Sequence, residues 1–128
     1  MKIILFEDDA GISTSISDML EARGHVVMAL YGIKRFKREK IIGITPDGLN
    51  VEVTLADYDL AVVDGKLVGD YYGWDIVPYL VDEDVLCIAH SSEAAFNRRM
   101  QEHGAAYQAL KSGTRNLKAV IEEVEKTL

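Results

Sequence analysis

The run Ile3-Ile4-Leu5-Phe6 is apolar without interruption and breaks at once into Glu7-Asp8-Asp9. A strand wetted on one face alternates apolar and polar side chains, whereas a strand covered on both faces does not. The opening run therefore predicts a strand buried between two layers, with charge loaded at its carboxyl end. His25–Leu30, Leu60–Val63, Val85–Ala89 and Ala106–Leu110 read as four more strands. Helical patterns lie between them. Ile12, Ile16, Met19 and Leu20 share one face of a helix that Asp9 or Ser13 caps and Gly24 ends. Asp75–Val81 starts another helix, with Pro78 tolerated in its first turn if Asp75 is the cap. Glu93–His103, stopped by Gly104, predicts a third, and Asn116–Leu128 a fourth with Leu117, Val120, Ile121, Val124 and Leu128 on one face. Strands alternating with helices predict a doubly wound α/β fold with a five-stranded parallel sheet.

One stretch breaks the alternation. Ile41–Thr45, then Pro46-Asp47-Gly48, then Leu49–Val53 has the form of a β-hairpin, inserted at about residues 40–54 where a crossover helix is expected. Only Thr54–Tyr58 remains to supply a helical turn. An isolated pair of strands is marginally stable, so the hairpin must cover its own sheet or pair with a second copy, and self-covering is favoured. Ahead of it, Lys34, Arg35, Lys37, Arg38 and Lys40 surround Phe36 and read as a solvated approach, with a docking patch for an acidic partner as the alternative.

At 128 residues the chain suits a single domain, residues 1–128. Its formal charge of −7 disfavours binding to nucleic acid. The single cysteine, Cys87, excludes an internal disulfide and a cysteine-rich metal site. The apolar runs are too short to cross a bilayer, and no signal-peptide pattern follows Met1, so no membrane association and a cytoplasmic location are expected.

Parallel sheets of this kind bind ligands at the carboxyl ends of their strands. Glu7, Asp8 and Asp9 follow the first run, Asp64 follows Leu60–Val63, His90, Ser91 and Ser92 follow the fourth strand, and Lys111 follows the last. If the first and third strands are neighbours, at least three carboxylates converge and repel unless a counter-charge intervenes. Lys111 with a hard divalent cation, Mg²⁺ or Mn²⁺, would neutralise them.

Four segments in order, Ile3-Ile4-Leu5-Phe6-Glu7-Asp8-Asp9, Tyr58-Asp59-Leu60-Ala61-Val62-Val63-Asp64, Gly73-Trp74-Asp75-Ile76, and Gly104-Ala105 followed by Lys111, resemble the response-regulator receiver domains of two-component signalling. The resemblance implies the chemotaxis-type, flavodoxin-like fold, with the hairpin replacing most of the second helix. It implies a stand-alone phosphoacceptor rather than an enzyme, turning over only by slow autodephosphorylation. Asp64 would accept the phosphoryl group from a histidine kinase or phosphotransfer protein. Glu7, Asp8, Asp64 and the backbone carbonyl of Lys66 would hold Mg²⁺, and Lys111 would pair with the phosphoryl group. Ser91 would supply the switch hydroxyl, and an output protein would read the change in a monomer or weak homodimer.

The chain departs from the family at the switch. A gapless count back from Lys111 puts Ala89, not Ser91, at the hydroxyl position. Gln108 stands where the switch aromatic belongs, with Tyr107 one residue early, and Ser112 replaces the proline after the lysine. These departures keep a second reading open, a phosphorylation-independent docking module. A haloacid-dehalogenase-type phosphatase is disfavoured because Lys66, not aspartate, stands two residues after Asp64.

Overall fold

The opening apolar run becomes the centre of a sheet. The computed structural model describes residues Met1–Leu128. In chain order its elements are β1 (Lys2–Phe6), α1 (Ala10–Ala22), β2 (Val26–Leu30), β3 (Gly32–Lys37), β4 (Lys40–Ile44), β5 (Asn50–Thr54), β6 (Leu60–Val63), α2 (Gly73–Asp82), β7 (Leu86–Ser91), α3 (Ala94–Glu102), β8 (Tyr107–Leu110) and α4 (Arg115–Lys126). Five strands form one sheet in the order β2-β1-β6-β7-β8, every pair parallel. Leu30, Phe6, Val63 and Ala89 stand in register across it. The next residue on each of three central strands, Glu7, Asp64 and His90, therefore emerges along one edge.

Because successive side chains in a strand point to opposite faces, the buried runs feed two cores. Ile3, Leu5, Leu60, Val62, Ile88 and Ala109 pack with Ile16 and Leu20 of α1 and Leu117, Ile121 and Val124 of α4. Ile4, Phe6, Ala61, Val63, Cys87 and Ala89 pack on the other side with Ile76, Val77 and Leu80 of α2 and Met100 of α3.

The insertion is larger than the predicted hairpin. β3, β4 and β5 form a three-stranded antiparallel meander, so the basic segment read as a solvated approach is itself a strand. A register shift between Ile33 and Arg35 leaves Lys34 as a bulge, and this hid the strand: it disrupts the two-residue period, leaving Ile33 and Phe36 to mark the inner face. Ile33, Ile41, Val53 and Leu55 join the α2–α3 core, so the meander covers its own sheet, as favoured from sequence. Gly43 allows this close approach, because a Cβ there would lie 2.7 Å from Cδ1 of Leu30. The second helix is reduced to a 3₁₀ turn at Leu55–Asp57.

The helix ends differ in detail from expectation. Asp9, not Ser13, caps α1, its Oδ1 accepting from the Ile12 amide at 2.9 Å. α2 begins at Gly73, ahead of the predicted start, and Asp75 is not its cap. Instead Asp75 Oδ2 accepts from the Tyr72 amide at 2.8 Å. Pro78 thus lies inside the helix, beyond its first turn, where it removes a donor from the i→i−4 ladder. At the opposite end of the sheet, Arg23 Nε lies 3.1 Å and His25 Nε2 2.7 Å from Glu125 Oε2, tying the α1–β2 turn to α4. No helix is long and apolar enough to cross a membrane.

Candidate functional site

The aligned strand ends bring Glu7 and Asp64 together, both buried, at 1% and 7% exposure. Lys111, from the end of β8, lies between them: its Nζ is 2.9 Å from Asp64 Oδ2 and 2.8 Å from Glu7 Oε1. Asp64 Oδ1 accepts from the Gly65 amide at 2.8 Å, and Glu7 Oε2 from the Asp9 amide at 3.1 Å. Both carboxylates are thereby oriented before any ligand arrives.

The charges are unevenly compensated. Burial, reinforced by the Asp64 charge, pushes the Glu7 carboxyl up to about 7 against the pull of Lys111. Burial also raises Asp64, with Lys111 opposing. Burial works against the charged form of Lys111, but hydrogen bonds to Glu7 and Asp64 outweigh it and raise its pKa. One ammonium thus does not balance the cluster, because Asp8 adds a third carboxylate.

The donor set fits a small divalent cation. One oxygen each from Glu7, Asp8 and Asp64 lies within 4.8 Å of the others. Opposite ligands on Mg²⁺ are separated by about 4.2 Å, twice the usual bond length, so small side-chain adjustments would close the set. Glu7 Oε1 faces the Lys111 ammonium at 2.8 Å and accepts from no other donor, which leaves it a lone pair for a cation. The Lys66 carbonyl likewise accepts no backbone or side-chain hydrogen bond. Beside the acids opens a cleft of ≈ 690 Å³, walled by Asp8, Asp9, Gly11, Ile12 and Ser15 on one side and Ser92, Lys111, Gly113 and Thr114 on the other.

Two glycines permit the loop that follows Asp64. A Cβ on Gly73 would lie 2.2 Å from the Asp64 carbonyl oxygen, and one on Gly65 would lie 2.5 Å from Cδ2 of Phe96. The Gly73 amide donates to the Gly65 carbonyl at 2.9 Å, closing the loop on itself. Tyr72 stacks on Trp74 at 4.6 Å, and Trp74 meets Phe96 edge-on at 5.1 Å, so aromatic rings back the loop.

The expected switch residues are arranged differently. Ser91 is buried, but its hydroxyl accepts from the Glu93 amide at 3.1 Å and takes part in no hydrogen bond with Asp64. Its alternative, Ala89, is packed in the α2–α3 core. Gln108 is exposed, while Tyr107 packs on the α1–α4 side. All peptide bonds are trans, including Lys111–Ser112, and Lys111 still reaches both carboxylates.

Asn97 was not singled out from sequence. It is fully buried on α3, its Oδ1 accepting from the Ser91 amide at 2.9 Å and its Nδ2 donating to the carbonyls of Ser91 at 3.1 Å and Ala109 at 3.4 Å. The available signal was an asparagine three residues before Met100, on the face of α3 that turns inward. His90, read as a loop or packing residue, is buried, and its Nε2 has no partner. Burial, followed by repulsion from Lys111, lowers its pKa to about 4.

No protein-family model and no curated protein matches the sequence. Solved structures match its fold. The BeF3-activated N-terminal receiver domain of Klebsiella pneumoniae RstA matches with a TM-score of 0.71 at 19% identity, over 96% of this chain and 97% of that one. The non-phosphorylated HemR receiver domain of Leptospira biflexa matches with a TM-score of 0.65 at 23% identity, over 98% and 91%. The receiver domain of the Francisella response regulator 1452 matches with a TM-score of 0.66 at 15% identity, over 99% and 98%. The strand order, the parallel sheet and these full-length likenesses together make this the fold of the response-regulator receiver domains, carrying a meander in place of one helix.

Proposed function

We propose that this chain is a phosphoacceptor receiver that takes a phosphoryl group onto Asp64 from a histidine kinase or phosphotransfer protein and passes the signal to a partner protein. The observation that carries the reading is the Lys111 ammonium, within 2.9 Å of buried Asp64 and 2.8 Å of buried Glu7 at the C-terminal edge of the sheet. In the transfer, an Asp64 carboxylate oxygen forms the new O–P bond as the P–N bond of a phosphohistidine breaks, and the imidazole nitrogen keeps the electron pair. Lys111 stabilises charge on the transferred group, and the Gly65 amide holds the other carboxylate oxygen in place. Glu7, Asp8, Asp64 and the Lys66 carbonyl are the residues that would hold Mg²⁺, which supplies charge neutralisation for the phosphoryl oxygens when bound. Water then hydrolyses the acyl phosphate.

Intact mass measured after treatment with acetyl phosphate tests this. One phosphoryl group should be gained with Mg²⁺ and lost from Asp64→Asn. Labelling that ignores Mg²⁺ or survives Asp64→Asn would refute the assignment.

The second reading, a docking module that signals without phosphorylation, draws on the Ser91 hydroxyl engaged by Glu93 and on the exposed Gln108. Absence of labelling by any phosphodonor, with the fold intact, would favour it.

A further inference from the structure

The segment after Asp64 is bonded directly to the meander. The Val68 amide donates to the Tyr31 carbonyl at 3.0 Å, and Val68 forms a parallel bridge with Gly32. The approach is so close that a Cβ on Gly32 would lie 1.9 Å from the Val68 carbonyl oxygen. Leu67 is buried with Ile33, Ile41 and Val53. Tyr71 meets Phe36 of β3 edge-on at 4.8 Å, and Phe36 stacks on Tyr79 of α2 at 4.2 Å. By contrast, Asn97 ties the ends of β7 and β8 to α3. Displacement of the Asp64 loop therefore has a backbone-bonded route to β3.

The meander's outer face is basic with an aliphatic strip. Pairing places Arg35 beside Ile42 and Glu52, and Lys37 beside Lys40, all opposite in pleat to inward Phe36, Ile41 and Val53. Five of the seven residues from Lys34 to Lys40 are basic on a chain of net charge −7. Glu39 is the acid within that stretch and Glu52 of β5 lies beside it, paired with Lys37 at 2.8 Å. Lysines on an edge strand also deter unwanted strand pairing. Here, however, Lys40 lies on the central strand, and the same face carries half-buried Ile42 and Ile44. Basic side chains around aliphatic ones suit an acidic protein segment with aliphatic side chains. Glu39 and Glu52 on a net-acidic chain oppose the phosphates of a nucleic acid.

We propose that the outer face of β3–β4, centred on Arg35, Lys37, Lys40 and Ile42, docks an acidic, aliphatic-bearing protein segment, and that the Asp64 loop adjusts this surface through its bonds to β3. The coupling rests on the proposed receiver function; the docking surface does not.

The test titrates the full chain with a synthetic Glu/Leu peptide and, separately, with a single-stranded DNA oligonucleotide, following backbone amide resonances with and without beryllofluoride and Mg²⁺. The peptide should shift β3–β4 resonances, and Arg35→Glu with Lys40→Glu should weaken it about tenfold or more. Beryllofluoride should change its affinity about threefold or more. Val68→Pro, which removes the donor to Tyr31, should abolish that change; if it fails to fold, Tyr71→Leu is read instead. Peptide binding elsewhere, indifference to charge reversal, or preference for the oligonucleotide overturns the docking surface. Beryllofluoride perturbing Asp64 but not peptide affinity overturns the coupling. Failure of beryllofluoride to perturb Asp64 overturns the coupling together with the receiver reading and leaves the docking surface standing on its own titration.

Discussion

Lys111 Nζ lies 2.9 Å from Asp64 Oδ2, although 47 residues of chain separate them, and 2.8 Å from Glu7 Oε1. The parallel register of β1 and β6, together with the emergence of Lys111 from β8, makes this meeting possible. It concentrates two buried carboxyls around one cation, and removing any member leaves the others mismatched.

Lys111→Met should therefore lower phosphoryl labelling by at least about tenfold, because a point charge facing the transferred group is lost. Its cost in stability should be only about 1–3 kcal/mol, the range for leaving a buried polar partner unsatisfied. Uptake of a proton by Glu7 limits that cost. Urea unfolding and intact-mass labelling on the same preparation check both outcomes.

Asp8→Asn should weaken Mg²⁺ binding more than Asp9→Asn. Asp8 belongs to the convergent trio, whereas Asp9 is the α1 cap, a role asparagine fills equally well. Isothermal titration decides; equal effects would count against the trio.

Two glycine substitutions should differ sharply. Gly73→Ala drives a Cβ to 2.2 Å from the Asp64 carbonyl oxygen, a backbone atom, and should destabilise by about 1–3 kcal/mol or more while disturbing the site. Gly43→Ala meets the end of the Leu30 side chain at 2.7 Å, which can turn aside, and should cost less and leave labelling unchanged. Thermal melts and labelling of the pair test this ordering.

The meander should behave as core. Ile41→Ala, at a fully buried position, should cost about 2–5 kcal/mol, whereas Leu49→Ser, at a position 65% exposed in the β4–β5 turn, should stay within about 0.5 kcal/mol of the parent. Similar melting temperatures for both would show that the meander covers nothing.

Acid should release the tie between α1 and α4. The hydrogen bond from Arg23, and then that from His25, pull Glu125 down to about 2. A carboxyl whose folded pKa lies below its unfolded one contributes stability that is present above the unfolded value, about 4.5, and is lost as pH falls toward 2. The stability difference between parent and Glu125→Gln should shrink across that window and be smaller in high salt. Urea midpoints across that pH range, with and without added salt, measure it.

The strands of the parallel sheet and its helices were legible because their burial is written in local periodicity. Ile3–Phe6 and Leu60–Val63 are apolar throughout since both faces are covered, and the α4 stripe of Leu117, Ile121 and Val124 repeats at helical spacing. The convergence of Glu7, Asp8 and Asp64 was legible too, because each follows such a run. β3 was not, since the Lys34 bulge and its basic neighbours obscure a pattern that only pairing with β4 makes coherent. The start of α2 was missed because Gly73 is chosen by the nearness of the Asp64 carbonyl oxygen rather than by helix propensity. The hold of Asn97 on Ser91 and Ala109 was invisible for a related reason: its partners lie on two strands that meet only in the folded sheet. Local patterning by itself determined which segments are buried and where acids end them. Tertiary packing alone decided which side chains share a hydrogen bond or a charge, because those energies depend on distances between residues remote in the chain.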